Sequence, residues 1–168
     1  MGMAIDTASF RAAMARFPGA VTLVTARTAN AERRGITATA ICSVTADPPS
    51  VLVCLNSRTG TCAAVMETGR FAVNLLAGDG GDLALTFAGQ AGRTGEAKFQ
   101  VGQWADDTDG LPLLQDAVVA LSCQVTETLT AGSHHIFIGR IEGLSLGQGQ
   151  ALVYEQSRFH GLIPLAIR

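Results

Sequence analysis

Apolar and polar positions along the chain fall into short runs divided by turn residues, which predicts many strands and few helices. Asp6 or Thr7 can cap a first helix, with Phe10, Met14 and Phe17 at helical spacing as a core-facing stripe and Pro18-Gly19 as its stop. Ala20–Ala26 reads as a strand, and Arg27–Arg34 as the polar turn into the next. The stretch Gly35–Thr61 then holds two strand-like runs, Ile36–Val44 and Ser50–Leu55, separated by Asp47, Pro48 and Pro49. An Ala-rich helix follows over Cys62–Thr68, with Gly69 as its C-terminal stop. Arg70–Leu76 is a strand containing Asn74, whose polar side chain implies a bend or a bond to a neighbouring backbone group. Asp82–Phe87 forms a short helix ending at Ala88-Gly89. Gln90–Asp109 reads as a long surface loop anchored by Phe99 and Trp104. Leu111–Leu114 leads into two long strands, Ala117–Thr130 and His134–Leu146, joined by a turn at Ala131-Gly132-Ser133. Ala151–Tyr154 is a last short strand before Ser157–Leu162. Six or seven hairpin-spaced strands with two or three small helices predict a closed antiparallel barrel rather than a doubly wound sheet.

The 168 residues suit one domain, 1–168, with room for a real core. Charged residues make up only 15% against 48% hydrophobic, which predicts apolar surface set against another subunit. A net charge of −2 argues against nucleic acid or an anionic membrane as the main partner. Arg33 and Arg34 are the basic pair, read as part of a solvated turn. No run reaches the ~18 apolar residues of a membrane span, and the N-terminal stretch lacks the basic flank and apolar centre of a signal peptide. Cys42, Cys54, Cys62 and Cys123 form no C-x-x-C pair and have no metal-ligand spacing, so no metal site is expected; the reading is buried free thiols in a cytoplasmic protein.

Candidate chemistry concentrates in Gly35–Thr61. Thr37, Thr39, Cys42, Ser43 and Thr45 put small hydroxyl and thiol groups where Val and Ile normally pack. Small side chains let a flat ligand lie close to the backbone, where amide and hydroxyl donors reach its polar edge. The tail Asn56–Thr61 is rich in donors and enters a helix, whose free N–H groups suit a phosphate. A flavin or nucleotide cofactor fits this combination; a plain hairpin with a polar loop fits it too, since no Gly-rich phosphate fingerprint is present. His134 and His135 follow a tight turn, and only one of them can face a given site on a strand. Tyr154 and Phe159 are either capping aromatics or a wall over a flat ligand. Hydrolytic chemistry lacks a G-x-S-x-G elbow.

Six segments occur together in one order: FRAAMARFPGAVTLVTA, TATAICSVTADPPSVLVCLN, RFAVNLL, TFAG, GSHHIFIGRI and LVYEQSRFHGL. In that order the chain resembles the flavin reductase-like family, the small NAD(P)H-dependent flavin reductases that serve two-component monooxygenases, from about Phe10 to Leu162. The resemblance implies a mainly β, Greek-key-like FMN-binding split barrel, a homodimer, and flavin sites near the subunit interface. It implies FMN or FAD as the flavin, NADH or NADPH as hydride donor, and a separate monooxygenase as partner. By motif, Thr37, Ala38, Thr39 and Ala40 line the isoalloxazine, and Ser43, Val44 and Thr45 continue that wall. Asn56, Ser57 and Thr61 hold the ribityl chain and phosphate, with Arg93 as a phosphate partner. Phe87, Ala88 and Gly89 close one side, Tyr154 and Phe159 shape the pocket, and His134 faces the nicotinamide. Ser133 stands where Asp is common in the family, and Thr39 where Asn is frequent. The same barrel also serves flavoproteins that retain FMN and reduce a metal or corrinoid, barrels that bind flavin without turnover, and pyridoxamine-phosphate-oxidase-like enzymes.

Overall fold

A computed structural model describes residues 4–166; the first three residues of the stretch read for a signal lie outside it. In chain order the elements are α1 (Thr7–Met14), β1 (Gly19–Ala20), β2 (Thr22–Arg27), β3 (Arg33–Ala38), β4 (Ile41–Ala46), β5 (Pro49–Asn56), α2 (Gly60–Thr68), β6 (Arg70–Leu75) and α3 (Gly81–Phe87). A short 3-10 helix (Gly95–Gln100), β7 (Trp104–Asp106), β8 (Pro112–Leu114), β9 (Val119–Ala131), β10 (His134–Leu146), β11 (Val153–Glu155) and β12 (Arg158–His160) follow. Seven strands build one antiparallel sheet in the order β3-β2-β6-β9-β10-β5-β4. Its two edge strands, β3 and β4, are consecutive in the chain and joined only by Thr39 and Ala40.

That link dictates the shape. In a flat sheet the outer two of seven strands would lie about 29 Å apart at a spacing of ~4.8 Å. The step from Ala38 to Ile41 spans at most about 11 Å. The sheet must therefore curl until its edges meet, which makes the expected antiparallel barrel with an unladdered split between β3 and β4. The run Ile36–Val44, expected as one strand, is accordingly two, because the chain crosses the split at Thr39-Ala40. Ala40 already belongs to the β4 side of the split, its carbonyl accepting from Cys54 N of β5 at 3.1 Å.

The barrel interior is filled by Val24, Val53, Leu55, Val65, Phe71 and Phe137. A second apolar cluster lies under α3, where Phe87 packs edge-on to Phe99 with ring centroids 5.1 Å apart and Phe99 meets Trp104 at 4.8 Å. Phe99 and Trp104 thus anchor the 90–109 segment as expected, although that segment carries a 3-10 helix and β7 rather than bare loop. Asn74 is fully buried in β6. It donates to the Leu23 carbonyl at 3.2 Å and to Thr25 Oγ1 at 3.3 Å, and accepts from Leu114 N at 2.8 Å. One side chain thereby ties β2, β6 and β8 together.

Three local expectations are corrected. Asp6 caps α1, accepting from Ser9 N at 2.8 Å, but Phe10, Met14 and Phe17 are 57%, 46% and 67% exposed and contribute nothing to the core. Helical spacing reports that a helix has an apolar face; it does not report what covers the face. Arg33 and Arg34 are half-buried members of β3, and the turn is confined to residues between Arg27 and Arg33, with Ala31 N donating to Thr28 O. Of the thiols, Cys62 and Cys123 are buried, whereas Cys42 is exposed on β4. Burial pushes the Cys123 thiol up to about 12.

Two substitutions test this framework by thermal melting. Asn74→Leu leaves the Leu114 N–H without its partner inside the core and should cost about 1–3 kcal/mol. Gly139→Ala places a methyl 2.5 Å from Phe71 Cζ, on a buried ring that cannot yield, and should cost a similar 1–3 kcal/mol or so through overpacking. An unchanged melting temperature in either variant removes the corresponding assignment.

Candidate functional site

The outer side of β3 organises the candidate site. As an edge strand it pairs with β2 alone, so alternate backbone N–H and C=O groups on its other side are not used in a ladder. Facing that side are α3, the 3-10 helix and the start of α2. Two clefts run along it and meet at Ala88. The first, about 220 Å3, is lined by Thr37, Ala38, Thr39, Ala84, Leu85, Ala88, Gln90, Tyr154 and Phe159, with Val21 at its base. The second, about 340 Å3, is lined by Arg34, Gly35, Ile36, Thr59, Gly60, Thr61, Phe87, Ala88, Gly95 and Lys98. From Arg34 to Thr39 the strand advances about 17 Å, so the two clefts make one elongated groove with different ends.

One end is flat-sided and largely apolar. Tyr154 and Phe159 sit on paired strands β11 and β12, with ring centroids 5.3 Å apart. The beginning of α3 supports them, since a Cβ on Gly81 would sit 3.4 Å from the Phe159 ring. Opposite lie the small residues of β3. Gly19 fits against Thr39 so closely that a Cβ there would come within 2.8 Å of Thr39 Cβ. The Thr37 hydroxyl is already committed, donating to Ala84 O at 2.6 Å, which fastens α3 to β3. Polar recognition at this end therefore falls to the β3 backbone and to the exposed Thr39 and Gln90.

The other end is cationic. Thr59 caps α2, its hydroxyl accepting from Cys62 N at 3.2 Å. Gly60 in the first turn has no side chain, and Arg34 Cδ lies just 3.4 Å from where a Cβ would be. Lys98 reaches in from the 3-10 helix and donates to Phe87 O at 2.9 Å and Gly35 O at 3.3 Å. Partial burial lowers its pKa. Arg34 is paired with Glu32 at 2.5 Å. Arg33 is paired with Glu96, also at 2.5 Å, and lies over the Phe99 ring at 4.8 Å.

The groove thus brings together Thr37, Ala38, Thr39, Thr61, Ala88, Tyr154 and Phe159 from the residues singled out in the sequence. Phe87 borders it, but its ring is fully buried in the core below. Gly89, at φ +81°, ends the α3 turn beside Ala88, and exposed Ala40 lies at the split beyond Thr39. Others stand apart. Ser43 lines a separate apolar groove with Ile41, Val51, Leu75 and Leu121, while Val44 and Thr45 are exposed further along β4. Arg93 is exposed and bonded to Gln100 at 2.8 Å. Asn56 and Ser57 precede the helix cap: Asn56 Oδ1 accepts from Arg58 N at 3.0 Å, and Ser57 N donates to Ser133 O at 3.0 Å. That contact joins them to His134, which pairs with Asn56 across β5 and β10 and is exposed, its Nδ1 3.0 Å from Ser133 Oγ. His134 lines neither cleft.

Sequence reasoning does not assign Arg34, Gly60, Gln90 or Lys98 to the flavin pocket; Lys98 is there only one of six basic candidates for a nucleotide 2′-phosphate. Alternation along β3 carries a signal for Arg34, which shares a face with Ile36. Lys98 precedes the anchor Phe99, and an inward Phe implies a neighbour directed elsewhere. Neither signal names the α2 cap as the opposite wall.

The donor set suits a long, flat molecule with an anionic tail, and known proteins point the same way. Residues 14–162 match the family described as the flavin reductase like domain. The FMN reductase (NADH) RutF of Ancylobacter novellus is 39% identical over 160 residues, covering 95% of this chain and 87% of that one. The 4-hydroxyphenylacetate 3-monooxygenase reductase component of Salmonella typhimurium is 38% identical over 152 residues, covering 90% and 89%. Among solved structures, the flavin reductase PheA2 superposes with a TM-score of 0.86 at 31% identity, covering 95% of this chain and 100% of that one. The styrene monooxygenase flavin reductase of Pseudomonas putida S12 superposes with a TM-score of 0.81 at 30% identity, covering 94% and 99%. With a match that spans most of its length, and with relatives alike in size, the chain belongs to the flavin reductase-like family and has that family's split barrel.

Proposed function

We propose that the chain is an NADH-dependent FMN reductase that supplies reduced flavin to a separate monooxygenase. The observation that carries this reading is the two-ended groove along β3, apolar and narrow at Tyr154 and Phe159, cationic at Lys98 and the α2 cap. FMN has the matching order of parts. Its ring system suits the small-residue wall and the aromatic end, where the unladdered β3 backbone offers alternating donors and acceptors to a ring edge that is itself alternating. Its phosphate suits Lys98, Arg34 and the first turn of α2. A bound flavin supplies the acceptor for a nicotinamide hydride. The residues of the chain hold the two rings in register and keep water off one face, so positioning is their main contribution and no strong general base is required.

The relatives named as reductase components of monooxygenases support a partner oxygenase. The reading also takes the chain as a homodimer in the cytoplasm. Exposed apolar side chains on and just after α1 and at the far end of β10, including Phe10, Phe17, Leu144 and Leu146, favour a second copy. No helix among the described residues is long and apolar enough to cross a membrane.

Anaerobic stopped-flow absorbance at the flavin band tests the function. Bleaching of added FMN by NADH, with the reduced flavin passing a size filter, is the expected result; retention of the reduced flavin would instead support a reductase of a metal or corrinoid acceptor. Absence of bleaching with either NADH or NADPH leaves only a binding barrel. His134 lies outside both clefts, and its nicotinamide role rests on the family resemblance alone; if it holds, His134→Ala should raise KM for NADH by about tenfold, the worth of one hydrogen bond, while changing flavin affinity little. Equal losses in both would assign His134 to the fold of the neighbouring turn. Light scattering of the purified chain should give twice the monomer mass, and a monomer at micromolar concentration excludes the dimer.

A further inference from the structure

One segment beside the groove is fastened at both ends and loose between them. Gly89, Gly92 and Gly95 take φ of +81°, +69° and +52°, a region that side chains disfavour. A Cβ on Gly89 or Gly92 would meet nothing within 4 Å, and every residue from Ala88 to Thr94 is exposed. Gln90 N closes α3 on Leu85 O at 3.0 Å; beyond it, among the described residues, no backbone bond holds Ala91, Gly92 or Arg93. The ends are firm. Thr37 fastens α3 to β3 through Ala84 O, and Phe99 is buried in the core. The strap follows the groove, since Gln90 lines the first cleft, Ala88 both and Gly95 the second. Arg93 stands at its middle and lines neither cleft. Among the described residues no carboxylate pairs with it, and its side chain bonds only the neutral Gln100, Nη1 donating to Oε1 at 2.8 Å. Its charge is therefore not offset, and four of its five N–H donors are uncommitted.

We infer that Arg93 binds the diphosphate of the nicotinamide dinucleotide, and that the strap closes over the donor as it does so. The inference rests on the reductase reading above and names the residue that recognises the non-reacting part of the hydride donor. A dinucleotide carries two charged phosphates one ribose away from the nicotinamide. With the nicotinamide at the aromatic end, that places the charge along the outer rim of the groove, where the strap runs. Arg93 is three residues from Gln90 of the aromatic cleft, at most about 11 Å of chain. A guanidinium meets phosphate oxygens in pairs, which fixes direction as well as charge. The bond to Gln100 is no obstacle, because an exposed neutral hydrogen bond is readily exchanged for one to water or ligand. Glycine at three hinge points lets the strap change its backbone angles without a side-chain clash, and its few bonds make it a low-stability element of the kind that moves on binding. Arg93 thus serves the donor, leaving the cationic end of the groove to Lys98 and Arg34.

The test separates the donor's phosphates from its ring. Wild type, Arg93→Gln and Arg93→Lys are compared at saturating FMN with NADH, NADPH and 1-benzyl-1,4-dihydronicotinamide, which has the same reacting ring and no phosphate. Arg93→Gln should raise KM for NADH about tenfold, as expected for charge-assisted bonds at an exposed site, and Arg93→Lys should recover part of that loss. The loss should extend equally to NADPH and vanish with the benzyl donor. FMN affinity, read by flavin fluorescence, should stay within about twofold. Calorimetric titration of NAD+, which does not reduce FMN, into the FMN-loaded protein gives the same comparison without turnover, and Kd should rise about tenfold in Arg93→Gln. An equal loss with the benzyl donor would make Arg93 a support of the groove and overturn the inference. A loss confined to NADPH would move Arg93 to the 2′-phosphate, and a matching loss of FMN affinity would move it to the flavin; either result also overturns it. If NAD+ binding depends on Arg93 but neither NADH nor NADPH bleaches FMN, the inference stands and the reductase reading falls. If NADH bleaches FMN and Arg93→Gln keeps the wild-type KM, the inference alone falls.

Discussion

The joining of two sheet edges by two residues is the constraint on which the rest of the structure depends. Seven strands laid flat would keep β3 and β4 far apart, yet Thr39 and Ala40 are all the chain between them. Curling follows, and with it an interior that must be filled. Small residues at the crossing allow it: Gly19 yields its Cβ to Thr39, and Gly139 yields its own to the Phe71 ring on the inside of the curl. The second apolar cluster under α3 is a consequence as well, because an edge strand that does not ladder with its neighbour needs another cover.

That cover is what makes a site. α3, fastened through Thr37 to Ala84 O, and the 3-10 helix, fastened through Lys98, shield β3 without saturating its backbone. The result is a groove whose length comes from one strand and whose two ends differ in character because different elements close them. At one end the closure is aromatic, from β11 and β12. At the other it is a helix cap with basic side chains. The aromatic stack of Phe87, Phe99 and Trp104 lies beneath, so the floor of the groove is as rigid as the core it belongs to.

Much of this was legible in the residues, and the failures have physical causes. Turn chemistry marked the β9–β10 hairpin at Gly132, which takes φ +58°, and the end of α2 at Gly69, with φ +68°. Asn74 offers a bend or a bond to backbone and makes the bond, and Phe99 and Trp104 anchor their segment as expected. Local signals of this kind act within a few residues. The break at Thr39-Ala40 was illegible because alternation continues across it and only the sheet order reveals the crossing. The α1 stripe was misjudged because amphipathicity gives a direction and no neighbour. Arg34 and Lys98 escape assignment to one cleft for a related reason: 64 positions apart in sequence, they meet only through the packing of Phe99 against Gly35, where a Cβ would come within 3.2 Å of the ring. The elongated spread of Ser43, Val44, Thr45 and His134 beyond the groove shows the same limit, since adjacency along a strand does not carry around a barrel.

The split has a thermodynamic meaning of its own. Either strand at the split can leave the sheet by breaking one ladder, β3 that with β2 and β4 that with β5, whereas β6 or β9 would have to break two. Opening at the seam is therefore the least expensive partial unfolding of the barrel, and the amide protons of β3 should exchange ahead of those at its centre. A molecule lying along β3 binds only the closed form, so it raises the free energy of this opening by mass action, about 2.7 kcal/mol at a hundredfold excess over its dissociation constant. The strand that reads the ligand is thus also the one that the ligand secures, and occupancy and integrity of the barrel become two readouts of a single equilibrium.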